Sequence, residues 1–119
     1  MAASTFGWHQ RLHSSAEIDR VFRRGTRTRS PTLITYALQN DRDFPRLGLS
    51  VSRKVSRLAS RRNALKRRVR ETFRSLQTKM QAVDVFIVIL PQAALLSRHA
   101  LIHEVAQALL SAADRKKRI

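Results

Sequence analysis

The stretch SRRNALKRRVRETFR, Ser60 to Arg74, carries two patterns at once. Arginine and lysine crowd it against a single carboxylate, Glu71. Within it Leu65, Val69 and Phe73 recur every four residues, the spacing that places side chains on one face of an α-helix. A run of solvated charge needs no apolar face. The pattern therefore predicts a helix that packs on the protein and holds its cations outward.

The predicted helix runs from about Arg57 to Met80 and has two opposite stripes when its residues are spaced at about 100°. The apolar stripe is centred on Leu65 and holds Leu58, Val69, Thr72, Leu76 and Met80, with Phe73 at its edge. The basic stripe holds Asn63, Lys66, Arg67, Arg70 and Arg74, with Arg62 near the border. Like charges three or four residues apart repel by ~0.2–0.5 kcal/mol per pair. We therefore predict that the basic stripe binds a polyanion.

Composition limits the class of protein. The 119 residues suit a single domain, predicted to span 1–119 with a frayed start of about 1–10 and a basic tail of about 114–119. The chain has no cysteine, which excludes disulfides and thiolate metal sites. It shows no secretory signal and no apolar run long enough for a membrane span. We therefore expect a cytoplasmic protein.

The net charge of +16 comes from 24 Lys and Arg against 8 Asp and Glu. Such a charge destabilises a free domain by self-repulsion and favours a polyanionic partner. Nucleic acid is the commoner partner, and an anionic membrane surface is the weaker alternative. Arginine predominates, and its planar fork suits phosphates and stacks on bases. The residues thus favour an RNA- or DNA-binding domain.

The remaining patterns predict an α+β fold of order α-β-β-α-β-α in one domain. The first helix begins after Ser14, which forms a capping box with Glu17, and ends at Gly25. A continuous apolar run predicts that the third of the main strands is central in the sheet. The predicted elements are a helix 15–24, a possible short strand 27–30, strands 32–38 and 46–52, the long helix, a strand 82–90 and a helix 98–113.

The strand 46–52 alternates between two faces, with Gly48, Ser50 and Ser52 on one of them. This face is shallow and polar, and its small side chains are expected to leave room over it. It is either an ordinary solvated surface, which periodicity alone favours, or a floor on which a polymer lies. Tyr36 could stack on a base if it shares that face. A lone Tyr, however, more often lies at the edge of the core, where its ring is apolar and its hydroxyl is polar.

No arrangement for protein catalysis is evident in the sequence. The carboxylates are scattered, and no phosphate-binding or nucleophile-elbow motif is present. His99 and His103 have a spacing that can grip a metal, but a third ligand is not in evidence, so a helix flank exposed to water is the better interpretation.

The basic stretch contains the pattern R-N-x-x-K-R-x-x-R, formed by Arg62, Asn63, Lys66, Arg67 and Arg70. This pattern resembles the signature of the bacterial ribonuclease P protein subunit. RLHSSAEIDRVFRRG is similar to the first helix of that family, PRLGLSVSRKV to its central strand, and AVDVFIVIL to its later strand. The agreement covers about 11–110. The family often has an aromatic residue at the position of Ile18.

The resemblance implies a fold, partners and a division of labour. The fold would be an α/β sandwich with a left-handed β-α-β crossover, like one domain of ribosomal protein S5. The protein would assemble with a catalytic RNA that cuts the 5′ leader from precursor tRNA, with Mg2+ held mainly by the RNA. No protein side chain would be catalytic, and neither an obligate protein partner nor a membrane is expected.

The resemblance also assigns residues to two sites. The catalytic RNA would be bound by Arg57, Arg61, Arg62, Asn63, Lys66, Arg67, Arg70 and Arg74. A cleft for the single-stranded leader would be lined by Ile18, Phe22, Tyr36, Ser50, Ser52, Arg53 and Lys54. Two rivals, a structural RNA-binding protein of ribosomal type and a small DNA-compaction protein, would share the charge but need no leader cleft.

Overall fold

The computed structural model of the chain describes residues 7–113. Short 3-10 turns lie at Trp8–Gln10, Gln77–Lys79 and Pro91–Leu95. The helices and strands, in chain order, are α1 (Ser15–Arg24), β1 (Thr26–Arg29), β2 (Leu33–Gln39), β3 (Arg46–Val51), α2 (Ala59–Leu76), β4 (Val83–Ile89) and α3 (Arg98–Ala112). Each predicted element is present, and the short strand suggested near Arg27 is β1.

The four strands form one sheet in the order β1-β2-β4-β3. β2 is antiparallel to both β1 and β4, whereas β3 is parallel to β4 and is joined to it by α2. The prediction that the apolar strand is central is confirmed, because β4 is hydrogen-bonded on both sides. The α+β class is confirmed as well. The left-handed sense of the β3–α2–β4 crossover stays an expectation from the resemblance.

The sheet separates two apolar clusters. The larger one joins α2 and α3 to the sheet and contains Val69 and Phe73, both fully buried. The smaller one lies under α1 on the other face and contains Leu12, Val21 and Phe86. Three layers result, with α1 on one side of the sheet and α2 with α3 on the other. Helices on both faces bury both sides of β4, which explains why every residue of this strand except Asp84 is apolar.

Three details of the long helix differ from prediction. Phe73, predicted at the edge of the apolar stripe, is fully buried. Leu58, predicted inside that stripe, is 58% exposed because it is the N-cap and precedes the first helical turn. The regular helix is also shorter than predicted and ends at Leu76, where a 3-10 turn follows.

The predicted caps of α1 are present at both ends, but the capping box at its start is incomplete. The Ser14 hydroxyl accepts a hydrogen bond from the backbone N–H of Glu17 at 3.5 Å. The Glu17 carboxylate does not complete a capping box and instead accepts from Arg46 at 2.9 Å. At the other end, the Gly25 N–H donates to the Val21 carbonyl, and a Cβ on Gly25 would lie 2.5 Å from that oxygen. That Cβ would also lie 3.0 Å from the carbonyl oxygen of Ala37 in β2, so a side chain at position 25 would force the end of α1 away from the sheet.

A buried ion pair crosses the sheet where α1 begins. Arg46 donates to both carboxylate oxygens of Asp84, at 2.8 and 2.7 Å, and its remaining Nη donates to Glu17. The side chains of Arg46 and Asp84 are each 7% exposed. The hydrogen bond to Asp84 raises the pKa of Arg46 above its usual value, against the opposing effect of burial. This network ties α1 to β3 and β4.

The N-terminal segment closes the edge of β3. Arg11 forms an isolated parallel β-bridge with Leu47, and the N–H of Leu12 donates a hydrogen bond to the Leu47 carbonyl at 2.9 Å. Gln10 is buried, so ordered structure begins within the predicted frayed start of about 1–10. Residues 1–6 and the predicted basic tail of about 114–119 lie outside the described residues.

Candidate nucleic-acid interface

The basic stripe lies on the outer surface of α2, as predicted. Its apolar counterpart is buried through Leu65, Val69 and Phe73, which fixes the orientation of the helix. The stripe varies in exposure: Asn63, Arg67 and Arg74 are exposed, whereas Lys66 and Arg70 are half-buried. Arg61 is exposed as well. The packed side of the helix thus holds a rigid ladder of cations toward solvent.

Arg62 has a structural task that the sequence did not reveal. Its Nη1 donates to the carbonyls of Ser56 and Arg57, at 2.9 and 3.0 Å. These bonds fold the loop between β3 and α2 back onto the first turn of the helix. A guanidinium has five N–H donors, so Arg62 retains donors for a phosphate while it orders the loop.

The start of α2 is suited to an anion. The N-cap Leu58 supplies no side-chain hydrogen bond, and the first turn has no acidic residue, so the positive end of the helix dipole lacks an anionic side chain there. An open depression of about 890 Å³ lies beside it, and four of its six lining residues are cationic. Its lining consists of Arg53, Lys54, Ser56, Arg57, Ala59 and Arg62.

Arg70 stands in a crowded positive environment. Burial lowers the pKa of Arg70 from its usual value, and the charge of Arg11 lowers it further. Arg11 is the residue that bridges to β3 at Leu47. The N-terminal segment therefore brings an additional cation to the stripe, and a bound phosphate would relieve the repulsion between the two guanidiniums.

The opposite face of the sheet carries an aromatic row beside α1. The register pairs Tyr36 with Phe86 and Phe86 with Gly48, so these three positions share one face. This confirms that Tyr36 lies on the Gly48 and Ser50 side of the sheet. From α1, Phe22 stands edge-on to Tyr36 at 4.7 Å and to Phe86 at 5.0 Å between ring centroids.

Gly48 is needed for close packing and does not leave open space. A Cβ at this position would lie 2.6 Å from Cδ2 of Phe86 and 3.1 Å from Cβ of Leu12. The expectation of room over this part of the strand is therefore wrong, because the Phe86 ring fills it. Space for a ligand begins farther along the row, where Phe22 is 40% exposed and Tyr36 is half-buried.

The other predicted leader-binding residues fall into two groups. Ile18 and Ser50 lie on the α1 side, with Ile18 packed against the smaller apolar cluster and Ser50 half-buried. Ser52, Arg53 and Lys54 lie beyond the end of β3 in the loop that leads to α2, and all three are exposed. The Ser52 hydroxyl accepts from the Lys54 N–H at 3.3 Å and helps to shape that loop.

Two residues of the same surface were missed. Ile34 and Val88 are half-buried, and the register places them in one row with Ser50. They supply an apolar surface next to Tyr36. The alternation within each strand predicts which residues share a face, but the register between strands, which unites them, depends on the pairing of β2 with β4.

Metal binding is not supported within 7–113. No group of three or more His, Cys, Asp or Glu that could hold an ion occurs there. His99 and His103 are both exposed on α3, as predicted for a solvated helix flank. Among the described helices, none is both long and apolar enough to cross a membrane.

Comparison with known proteins agrees with this geometry. A family model described as Ribonuclease P matches residues 6–113. The ribonuclease P protein component of Photobacterium profundum is 38% identical over 96 residues, which is 81% of this chain and 81% of that protein. The component of Pseudoalteromonas atlantica is 36% identical over 88 residues, covering 74% of this chain and 73% of that protein.

Solved structures agree as well. The RNase P protein of Staphylococcus aureus superposes with a TM-score of 0.81 at 26% identity, over 87% of this chain and 94% of that chain. The RNase P protein of Thermotoga maritima shares the fold, with a TM-score of 0.76 at 24% identity over 85% of this chain and 96% of that chain. By the match along nearly its whole length, the chain belongs to the ribonuclease P protein family.

Proposed function

We propose that the chain is the protein subunit of a ribonuclease P ribonucleoprotein, binding both the catalytic RNA and the 5′ leader of precursor tRNA. One observation carries the proposal: the basic stripe and the aromatic row are joined by a single loop. β3 carries Ser50 on the aromatic side and continues through Lys54 to the anion-suited start of α2. Two RNA strands that meet at this loop would occupy the two surfaces together.

The stripe on α2 binds the catalytic RNA through its phosphates. Within α2 (Ala59–Leu76) the only carboxylate is Glu71, whereas many side chains are cationic. Repulsion between these cations opposes helix formation unless a polyanion is present. Arginine binds phosphate bidentately and with fixed geometry. The rigid spacing of the stripe thus favours structured RNA over a merely diffuse attraction.

The aromatic row binds the leader by stacking and apolar contact. The side chains of Phe22 and Tyr36 are partly exposed. Each base stacked on an aromatic ring contributes ~1–3 kcal/mol to the binding free energy. Stacking tolerates any base, so sequence preference is slight. Because the leader is present only in the precursor, this surface strengthens binding of precursor over mature tRNA.

In this proposal the RNA carries out the cleavage and Mg2+ belongs to the RNA. Within residues 7–113, no group of three or more His, Cys, Asp or Glu could hold a metal ion, and three of the carboxylates are engaged by arginine: Asp84 and Glu17 by Arg46, and Asp19 by Arg23. The protein lowers repulsion between the catalytic RNA and its substrate. A cytoplasmic location, where precursor tRNA is found, and assembly without an obligate protein partner or a membrane complete the proposal.

A reconstitution tests the proposal. Purified protein, a bacterial ribonuclease P RNA and a precursor tRNA are mixed at low magnesium, and release of the leader is followed over time. We expect protein-dependent cleavage that is lost when Arg62, Asn63, Lys66 and Arg67 are all changed to Ala. The matched control also removes three positive charges, but at exposed residues outside the stripe, namely Arg20, Lys79 and Arg98.

The outcomes separate three functions. Stimulation that survives in the control but not in the stripe variant supports the proposed subunit. If the native protein binds the RNA tightly yet gives no stimulation, a structural RNA-binding protein is the better account. Binding to duplex DNA as tight as to the structured RNA would favour DNA compaction.

Binding to the catalytic RNA should depend steeply on salt. If the stripe neutralises about five phosphates, the logarithm of affinity falls with the logarithm of salt with a slope of about 4. Removing the cations Arg62, Lys66 and Arg67 should reduce that slope by about 2–3 units. Filter binding or fluorescence anisotropy over a range of salt concentrations measures both slopes. A native slope near zero would contradict the interface.

A further inference from the structure

The edge strand β1 extends the aromatic row with two arginines. The register pairs Arg27 with Tyr36 and Arg29 with Ile34. Directly paired residues lie on the same face of a sheet, so both guanidiniums stand on the α1 side. Every residue of β1 is exposed. The row that begins at Ser50 therefore continues past the two central strands onto a cationic edge.

Both arginines are available for a phosphate. Within residues 7–113, neither is in an ion pair with a carboxylate. The Nε of Arg27 donates to the Tyr36 hydroxyl at 3.4 Å, which directs the guanidinium along the aromatic row. The alternate residues of the strand, Thr26 and Thr28, face the other side, next to α3. The charge on β1 is thus confined to the face that carries the aromatic rings.

We propose that the leader continues beyond Tyr36 and that Arg27 and Arg29 bind the phosphates of its distal nucleotides. This inference rests on the proposed function. The surface then has a direction. Its Ser50 end adjoins the loop that leads to α2 and the catalytic RNA, and its β1 end lies farthest from that loop.

The width of the sheet sets a threshold of leader length. A leader that runs across the sheet from β3 to β1 spans three interstrand spacings of about 4.8 Å, a total of about 14 Å. A leader that ends over β3 or β4 cannot reach the arginines. A longer leader covers Tyr36 first and the cationic edge afterwards. The contribution of β1 should therefore appear only beyond a certain leader length.

The test is a series of precursor tRNAs whose leaders differ by one nucleotide at a time. The holoenzyme contains either native protein or the variant Arg27→Gln with Arg29→Gln. A charge-matched control carries Lys79→Gln and Arg98→Gln, at exposed positions remote in sequence from the sheet edge. Precursor affinity is measured for each leader length, and circular dichroism checks that each variant is folded.

We expect the β1 variant to bind long-leader precursors about tenfold more weakly than native protein, equivalent to ~1.4 kcal/mol. The gap should close as the leader is shortened below the threshold. The salt slope for long leaders should fall by about 1–2 units. An equal loss at every leader length, or no loss at any length, would overturn the proposal. A native protein that fails to favour precursor over mature tRNA would instead refute the proposed function itself.

Discussion

Replacing Arg46 by Ala is expected to destabilise the protein by ~3–5 kcal/mol, because it leaves the carboxylate of Asp84 buried without its main partner. The two side chains are each 7% exposed and share two hydrogen bonds. The change also removes the hydrogen bond from Arg46 to Glu17 at the start of α1, which leaves Arg42 as the remaining ion-pair partner of Glu17. For a domain of ordinary stability, ~5–15 kcal/mol, such a loss is a large fraction of the total. Urea unfolding followed by circular dichroism measures it.

Two controls isolate the effect of burial. Arg23→Ala removes an arginine from the pair with Asp19, whose side chains are 73% and 62% exposed, and should change stability by less than ~1 kcal/mol. The double variant Arg46→Met with Asp84→Leu removes both buried charges and should recover much of the loss. If Arg46→Ala and Arg23→Ala had equal effects, the pair would not stabilise the fold as described.

Two phenylalanines on opposite faces should separate stability from leader binding. Phe73→Ala deletes a fully buried ring from the larger apolar cluster and should cost ~3–5 kcal/mol of unfolding free energy. Phe22→Ala removes a ring that is 40% exposed, so its cost should be smaller, ~1–2 kcal/mol. The same Phe22 variant should weaken precursor binding by ~1–3 kcal/mol through lost stacking.

The comparison requires two measurements on each variant. Urea unfolding gives stability, and the ratio of precursor to mature tRNA affinity, measured with the holoenzyme under conditions where each variant is folded, gives leader binding. Phe73→Ala is expected to leave that ratio near the native value. Should Phe22→Ala leave the ratio unchanged, the aromatic row would not be the leader surface.

The fold could be predicted largely from local patterns. The four-residue spacing of Leu65, Val69 and Phe73 fixed the buried side of α2, and therefore the outward direction of its basic stripe. The continuous apolar run of β4 predicted a strand covered on both faces. These features depend on one element at a time, and the periodicity of a single element is visible in a sequence.

Features that unite distant elements could not be predicted in this way. Asp84 within an apolar strand was a signal of a buried ion pair, but its partners Arg46 and Glu17 come from two other elements. The filling of the space over Gly48 by Phe86 depends on the register of β3 with β4. The leader-binding residues themselves were assigned through the family resemblance, and their roles stay predictions until the variants are measured.

Among residues 7–113, β1 pairs with another strand on one side only, and this open edge has a consequence for the free protein before it meets RNA. An unpaired strand edge can pair with the same edge of another copy and begin aggregation. Here Arg27 and Arg29 would bring four guanidiniums together in such a pair, and their mutual repulsion opposes it. Screening weakens that repulsion as the Debye length shrinks to ~10 Å at 0.1 M salt. The cationic edge therefore protects the unassembled subunit from self-association, a protection that is strongest in dilute salt.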